Sequence, residues 1–317
     1  MNTPAAPQTY PRQEPHASLE LGRGGRLSRK ARLGLFNRLF RLACIACAIF
    51  VSLLLLLILV FMFRTGILVF RDVSVTEFFT TTLWEPENDH YGALVFIAGT
   101  FALTGLTLLI SVPLSVIVAI FLAEMAPVWL RTALRPIYDL LVGIPSVVYG
   151  YLGLTVLIPF LRDITGNGLT DGLLAASLVL TIMVLPTISR VSDDALTAVP
   201  QKFRDASYAL GASRFQTIVK TVVPAAGRGI MYAVILGMAR AIGETMAVVM
   251  VIGNTPQLAD SLFKPTSVLT SNIVMQIANV PFDSTWNYAL YMMGFLLLII
   301  AIIMIVAIRL LQRRPVQ

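Results

Sequence analysis

The sequence predicts an all-α membrane protein with six transmembrane helices and both termini on the cytoplasmic side. Three observations carry this. Of 317 residues, 57% are apolar and only 13% charged, against roughly 25% charged in a soluble domain. The apolar residues gather into long runs, matching the ~20 residues that cross a hydrocarbon core. The basic residues fall between those runs and alternate strongly from side to side. The net charge of +7 therefore reads as a topology signal facing membrane lipid, not as a surface for nucleic acid.

Residues 1–38 are rich in Pro, Gln, Gly and Arg. Such a segment cannot bury a core, and a disordered basic cytoplasmic tail is expected. The apolar membrane domain is expected over 39–312. Its first span, about 42–63, exceeds the roughly 7–15 apolar residues of a cleaved signal and reads as an uncleaved helix. The second, about 93–123, contains Pro113 and places Thr100, Thr104, Thr107, Ser111 and Ser115 on one face. That face serves either hydrogen bonding between helices or the lining of a hydrated path. The third span covers about 137–161, with Asp139 near its start. The fourth, about 173–188, is short, with Pro186 near its end. The fifth and sixth cover about 230–252 and 288–308.

Counting alternate loops sets the orientation. One side collects the N-terminal basic residues, Arg131 and Arg135, the basic residues of 189–229, and Arg309, Arg313 and Arg314. The other holds only Arg64, Arg71, Arg162 and Lys264. Basic residues stay cytoplasmic, which puts both termini inside. The largest inner loop, 189–229, has its own pattern. Phe203, Ala206 and Leu210, then Phe215, Ile218, Val219 and Val222, make apolar faces of two short helices hinged at Gly211. Such a loop either docks a partner or lies on lipid.

The fifth run carries two charges, Arg240 and Glu244, four residues apart. In a continuous helix four residues advance about 6 Å and return to nearly the same face. Ionised groups at membrane depth cost about 2.5–3.5 kcal/mol on insertion scales, and a pair at this spacing offsets that cost. Gly229, Ala233, Gly237 and Ala241 form a small-residue stripe along the same helix, which lets another helix approach closely. The pair is thus expected to face protein or a cavity. It either fixes helix register or forms part of a solute path. Arginine suits an oxyanion, because its planar fork of donors is always charged; Glu244 would hold it at rest.

Cys44 and Cys47 lie in an apolar run without further ligands and read as fillers, and His16 and His90 are isolated, so no metal site is expected. No lysine follows a glycine, which excludes a P-loop in this chain. No nucleophile with a base and an orienting group is visible, and no catalytic residue is assigned.

Asp205-Ala-Ser-Tyr-Ala-Leu-Gly211, with Pro224 thirteen residues after the glycine, resembles the EAA loop of ABC importer permeases, whose coupling helix sits in a groove of an ATPase subunit. Asp205 stands where Glu is usual, Ser207 for Ala, Thr221 for Ile and Val223 for Leu. Four further stretches are similar to the phosphate importer permease of the PstC type: 84–100 (WEPENDHYGALVFIAGT), 121–131 (FLAEMAPVWLR), 140–154 (LLVGIPSVVYGYLGL) and 239–258 (ARAIGETMAVVMVIGNTPQL). The resemblance covers about residues 40–310. It implies a non-catalytic permease of MetI-like architecture in a bacterial inner membrane. It also implies a related second permease of the PstA type, two ATPase subunits and a periplasmic phosphate-binding protein. ATP and Mg²⁺ would reside on the ATPase, with no cofactor on this chain. Arg240, Glu244, Asp139, Thr104 and Ser146, which follows Pro145, would shape the translocation path. Asp205, Ala206, Gly211 and Pro224 would serve ATPase coupling. Sulfate or molybdate import is the near alternative, and ion-coupled secondary transport with Glu244 as relay the distant one.

Overall fold

The computed structural model describes residues 23–312 except 167 and 169. The chain divides into two compact units, residues up to Ile58 and residues from Leu59 onward. The first unit is helical from Arg23, within α1 (Arg23–Gly66), and every residue from Phe36 to Ile58 is exposed. Residues 1–22 of the expected disordered tail lie outside the described residues. Residues 23–38 correct that expectation: they continue the helix of the first span. The segment has no proline, and its Arg, Lys, Leu and Ala are strong helix formers.

In the second unit, the last turns of α1 pack on α13 (Thr285–Gln312). Gly66 lies against the Met292 backbone, where a Cβ would not fit, and the Phe63 and Phe295 rings meet at 5.1 Å. A short 3₁₀ segment, Ile67–Arg71, leads to α2 (Val75–Thr80), capped by Ser74, whose hydroxyl accepts from Glu77 N. A small antiparallel hairpin follows, β1 (Trp84–Glu85) and β2 (His90–Tyr91), turned by Asp89 at φ 59°. Trp84 packs edge-on against Tyr91 and Phe96 at 5.8 and 5.3 Å. With Val69, Phe78, Leu269 and Met293 these rings close one end of the bundle.

The bundle is made of α3 (Leu94–Ile120, with a π-helical extension Phe121–Met125), α4 (Val128–Gly143), α5 (Ser146–Leu152), α6 (Ile158–Thr165) and α7 (Leu173–Thr197). The connecting helices α8 (Gln201–Ala209) and α9 (Arg214–Thr217) lead into α10 (Val223–Gly243), α11 (Met246–Val251), α12 (Leu269–Gln276) and finally α13. Among the described residues, six helical stretches are long and apolar enough to cross a membrane: Phe36–Arg71, Leu94–Met125, Ser146–Thr165, Leu173–Thr197, Arg214–Gly243 and Thr285–Leu310.

Three expected boundaries change. The third run does not form one helix over 137–161. The chain turns at Ile144 and Pro145, both extended, so α4 stands apart as an amphipathic helix and the span begins at Ser146. Proline has no N–H for the helical ladder and forces the preceding residue out of the α region. The fourth run continues to Thr197, so residues 189–197 belong to α7 and not to a loop. The fifth run does not continue to residue 252. It ends at Gly243, with Glu244 extended at φ −71°, ψ 126°, and α11 starts afresh at Met246.

That last break serves packing. Gly150 of α5 brings α11 close, since a Cβ there would sit 2.9 Å from the Ala247 Cα. Val248 and Val251 of α11 then join Leu103, Tyr149, Val179, Leu180 and Met183 in the central apolar cluster. A straight α10 would leave those valines outside it.

Candidate functional site

α7 is the helix around which the site is built. On one side it receives α10 through the small-residue stripe. Ala233 and Ala241 are buried with Val184 and Ile188, Gly237 faces Ile188 and Val184, and Gly229 faces Ala195. A Cβ at either glycine would overlap α7. The close helix approach read from the stripe is therefore found, with α7 as its partner.

On its other side α7 receives α3 and its hydroxyls. Ser115 Oγ donates to the Leu185 carbonyl at 3.3 Å, and Ser189 Oγ returns to the Ser115 carbonyl at 3.2 Å. At the far end Thr100 Oγ1 accepts from Leu269 N. Thr104 is 1% exposed. Thr107 and Ser111, with Thr181 of α7, are buried and without a hydrogen-bond partner among the described residues. In this conformation the stripe lies between helices.

Arg240 and Glu244 do not pair. With the helix ended at Gly243, the one-turn geometry that would stack the two side chains is lost. Arg240 Nη1 instead donates to Thr187 Oγ1 of α7 at 3.0 Å. Tyr149, on α5, donates its hydroxyl to the Leu141 carbonyl at 2.8 Å. Glu244 turns to the start of α11, where Oε1 accepts from Ala247 N at 3.4 Å, while its carbonyl accepts from Thr270 Oγ1 of α12. Both residues are half-buried. The site thus holds a cation bonded to a neutral hydroxyl, and a carboxylate bonded to a backbone amide. An arginine of this kind keeps its full charge and most of its five donors.

Ser146 is half-buried at the first turn of α5, immediately after the Pro145 turn. Asp139 does not join Arg240. It lies on α4, with its side chain 65% exposed, 3.8 Å from Arg190 of α7. It stands at the edge of an ionic network that the sequence reading missed. The centre of that network is Asp193 of α7, whose side chain is 1% exposed. Arg135 of α4 reaches Asp193 Oδ2 from Nε and Nη2, both at 2.9 Å, a two-pronged contact. Arg190 lies 3.9 Å from the same oxygen and 3.8 Å from Asp194. Burial, and then the Asp193 carboxylate, push the Tyr138 phenol up from its ordinary range. The network ties α4 to α7.

At the same end of the bundle, α8 and α9 meet at Gly211, in the left-handed region at φ 81°, as the hinge reading expected. Ser213 and Gln216 form a reciprocal cap on α9. Leu210 is 89% exposed, and Phe203, Tyr208 and Phe215 are exposed with it. Asp205 Oδ1 accepts from Gln201 Nε2 on the surface of α8, Ala206 is exposed beside it, and Pro224 opens α10, where the lack of an N–H is tolerated.

Residues 111–317 match the family described as "Binding-protein-dependent transport system inner membrane component". The chain is 45% identical over 278 residues to the probable ABC transporter permease protein YqgH of Bacillus subtilis, covering 86% of this chain and 90% of that protein. It is 34% identical over 310 residues to the phosphate transport system permease protein PstC of Xylella fastidiosa (strain Temecula1), covering 92% and 94%. In fold it is similar to a bacterial ABC transporter involved in the import of the acidic polysaccharide alginate. That likeness has a TM-score of 0.62 at 15% identity and covers 89% of this chain and 99% of that one.

Proposed function

The chain belongs to the binding-protein-dependent transport system inner membrane components, and we propose that within them it is the permease subunit of an ATP-driven importer of inorganic phosphate. The observation that carries the anion is Arg240. It sits half-buried in a membrane-spanning helix and is held by the Thr187 hydroxyl, with no carboxylate among the described residues paired to it. Placing a lone guanidinium there is costly. An oxyanion that accepts its free donors relieves that cost, and phosphate matches the fork. The PstC name of the Xylella relative, matched over nearly its whole length, supports phosphate among the oxyanions.

The chain carries no P-loop, so ATP and Mg²⁺ belong to a separate ATPase. Leu210, Phe203, Tyr208 and Phe215 give α8 and α9 an apolar surface for that subunit, with Asp205 and Gly211 setting its charge and turn. The basic bias supports a cytoplasmic position for this end and for both termini. The hairpin end then faces outward, toward a phosphate-binding protein. A second, PstA-type permease would complete the path beside α5 and α6. Glu244, on the extended link between α10 and α11, acts as a second group near the arginine that receives a protonated oxyanion or repels a fully charged one.

The test is uptake of labelled phosphate into vesicles containing the complete complex, with sulfate and molybdate as competitors. Phosphate uptake that needs ATP and resists both competitors supports the reading. Preferred uptake of a competitor reassigns the substrate, and uptake without any ATPase removes the importer mechanism.

A further inference from the structure

Three arginines from three separate elements converge on the end of α3. Arg204 of α8 reaches Glu124 Oε1 from Nη2 at 2.6 Å and from Nε at 3.2 Å. The same guanidinium donates to the Val199 carbonyl at 2.6 Å and the Leu196 carbonyl at 3.1 Å, at the end of α7. Arg214 of α9 donates to the Glu124 carbonyl. Arg131 of α4 donates to the Leu122 and Ala123 carbonyls at 2.9 and 2.7 Å. The Leu122, Ala123 and Glu124 carbonyls belong to the π-helical turn Phe121–Met125, where a helix end leaves acceptors without intrahelical donors.

The Arg204–Glu124 pair is largely buried, with side chains 12% and 11% exposed. A buried pair is stable only when its geometry is good and its remaining donors are used, and here Arg204 spends every nitrogen on α3, on α7 or on Val199 just beyond it. Beneath it, Ala119, Leu196, Val199, Val222 and Ala226 form an apolar cluster joining α3, α7 and α10. Beside it opens a cavity of about 740 Å³, lined by Glu124, Gln201, Arg204, Tyr208 and Arg214 among others. Arg204 therefore points inward from α8 while Leu210 points out. A force applied to the outer face of α8 has a charge-assisted route to α3.

We propose that the Glu124–Arg204 pair is the joint that transmits movement of the α8–α9 unit to α3, so that ATP hydrolysis and anion passage stay linked. This rests on the importer reading. Arg204 and Glu124 act by positioning helices and touch no substrate.

The test uses the complete complex in vesicles, with ATP hydrolysis and anion uptake measured in the same preparation. Arg204→Lys keeps the charge but loses the fork; Glu124→Gln keeps the shape but loses the charge. Both are expected to assemble and hydrolyse ATP, while anion imported per ATP falls about tenfold, the size of an ordinary coupling between sites. The double variant Glu124→Gln with Arg204→Lys is expected to lose no more than the worse single variant, because one shared contact is lost only once. An unchanged ratio, with uptake and hydrolysis falling together or not at all, overturns the proposal. Failure of both single variants to assemble also overturns it, since the pair is then only a structural tie. The phosphate reading fails separately, as wild-type vesicles that take up another oxyanion in its place. The ratio is then read with that anion.

Discussion

Arg240 donates to the Thr187 hydroxyl at 3.0 Å and makes no ion pair with Glu244, which begins the link to α11. Arginine and threonine come from α10 and α7, the two helices locked together by the Gly229–Gly237 stripe. The position of the guanidinium is therefore set by a close helix contact, and in the proposed function its charge serves the anion. Thr187→Val is expected to raise the KM for uptake about three- to tenfold with assembly intact, the scale of one ordinary hydrogen bond. Thr187→Ser keeps the hydroxyl and is expected to transport normally. Equal behaviour of Val and Ser variants would remove Thr187 from the site.

Glycine at 237 is needed for space. A side chain there meets Ile188 and Val184, and overpacking of a close contact costs about 1–3 kcal/mol. Gly237→Val is expected to lower the melting temperature of the detergent-solubilised protein, and with it the amount of complex recovered. An unchanged melting temperature would mean that α10 and α7 are not in such contact.

Asp193 is the buried centre of the α4–α7 network. Removing one partner of a fully buried pair costs roughly 3–5 kcal/mol. Arg135 is 31% exposed, so Asp193→Asn is expected to cost less, about 2 kcal/mol after solvent screening. Asp139 is exposed at the network's edge, and Asp139→Asn is expected to change stability by less than about 0.5 kcal/mol. Comparing the two in thermal unfolding tests the ranking; equal losses would contradict it.

Leu210 projects from the α8–α9 turn. Leu210→Glu is expected to leave membrane insertion unchanged and to reduce retention of the ATPase through purification about tenfold or more, since a central apolar anchor contributes about 2 kcal/mol. Full retention would place the docking surface elsewhere.

The long apolar runs and the small-residue stripe were legible in the sequence, because each is a periodic signal within one segment. The Gly211 hinge was legible for the same reason. The breaks were not. Hydropathy stays high across Ile144–Pro145, and the dip at Gly243–Thr245 is only three residues long between apolar stretches, so the third and fifth runs read as continuous. The amphipathic character of α4, with Arg131, Arg135 and Asp139 in one stretch, was the available sign of the first break. Glu244 showed no such sign, and the one-turn pairing with Arg240 failed because it assumed a helix. Asp193, Glu124 and Arg204 looked like ordinary loop charges. Their burial comes from contacts 58 and 80 residues apart in the chain, which periodicity cannot reach. Glu124, directly closing a long apolar run, was the one local cue.

The central claim is that Arg240 serves the anion. The most direct measurement is ATP-driven uptake of labelled phosphate by vesicles holding the complete complex, wild type against Arg240→Gln, matched for assembled complex. A charge-assisted bond contributes roughly 1.5–3 kcal/mol, so uptake at subsaturating phosphate is expected to fall at least about tenfold while the ATPase stays bound. Uptake at the wild-type rate would contradict the account.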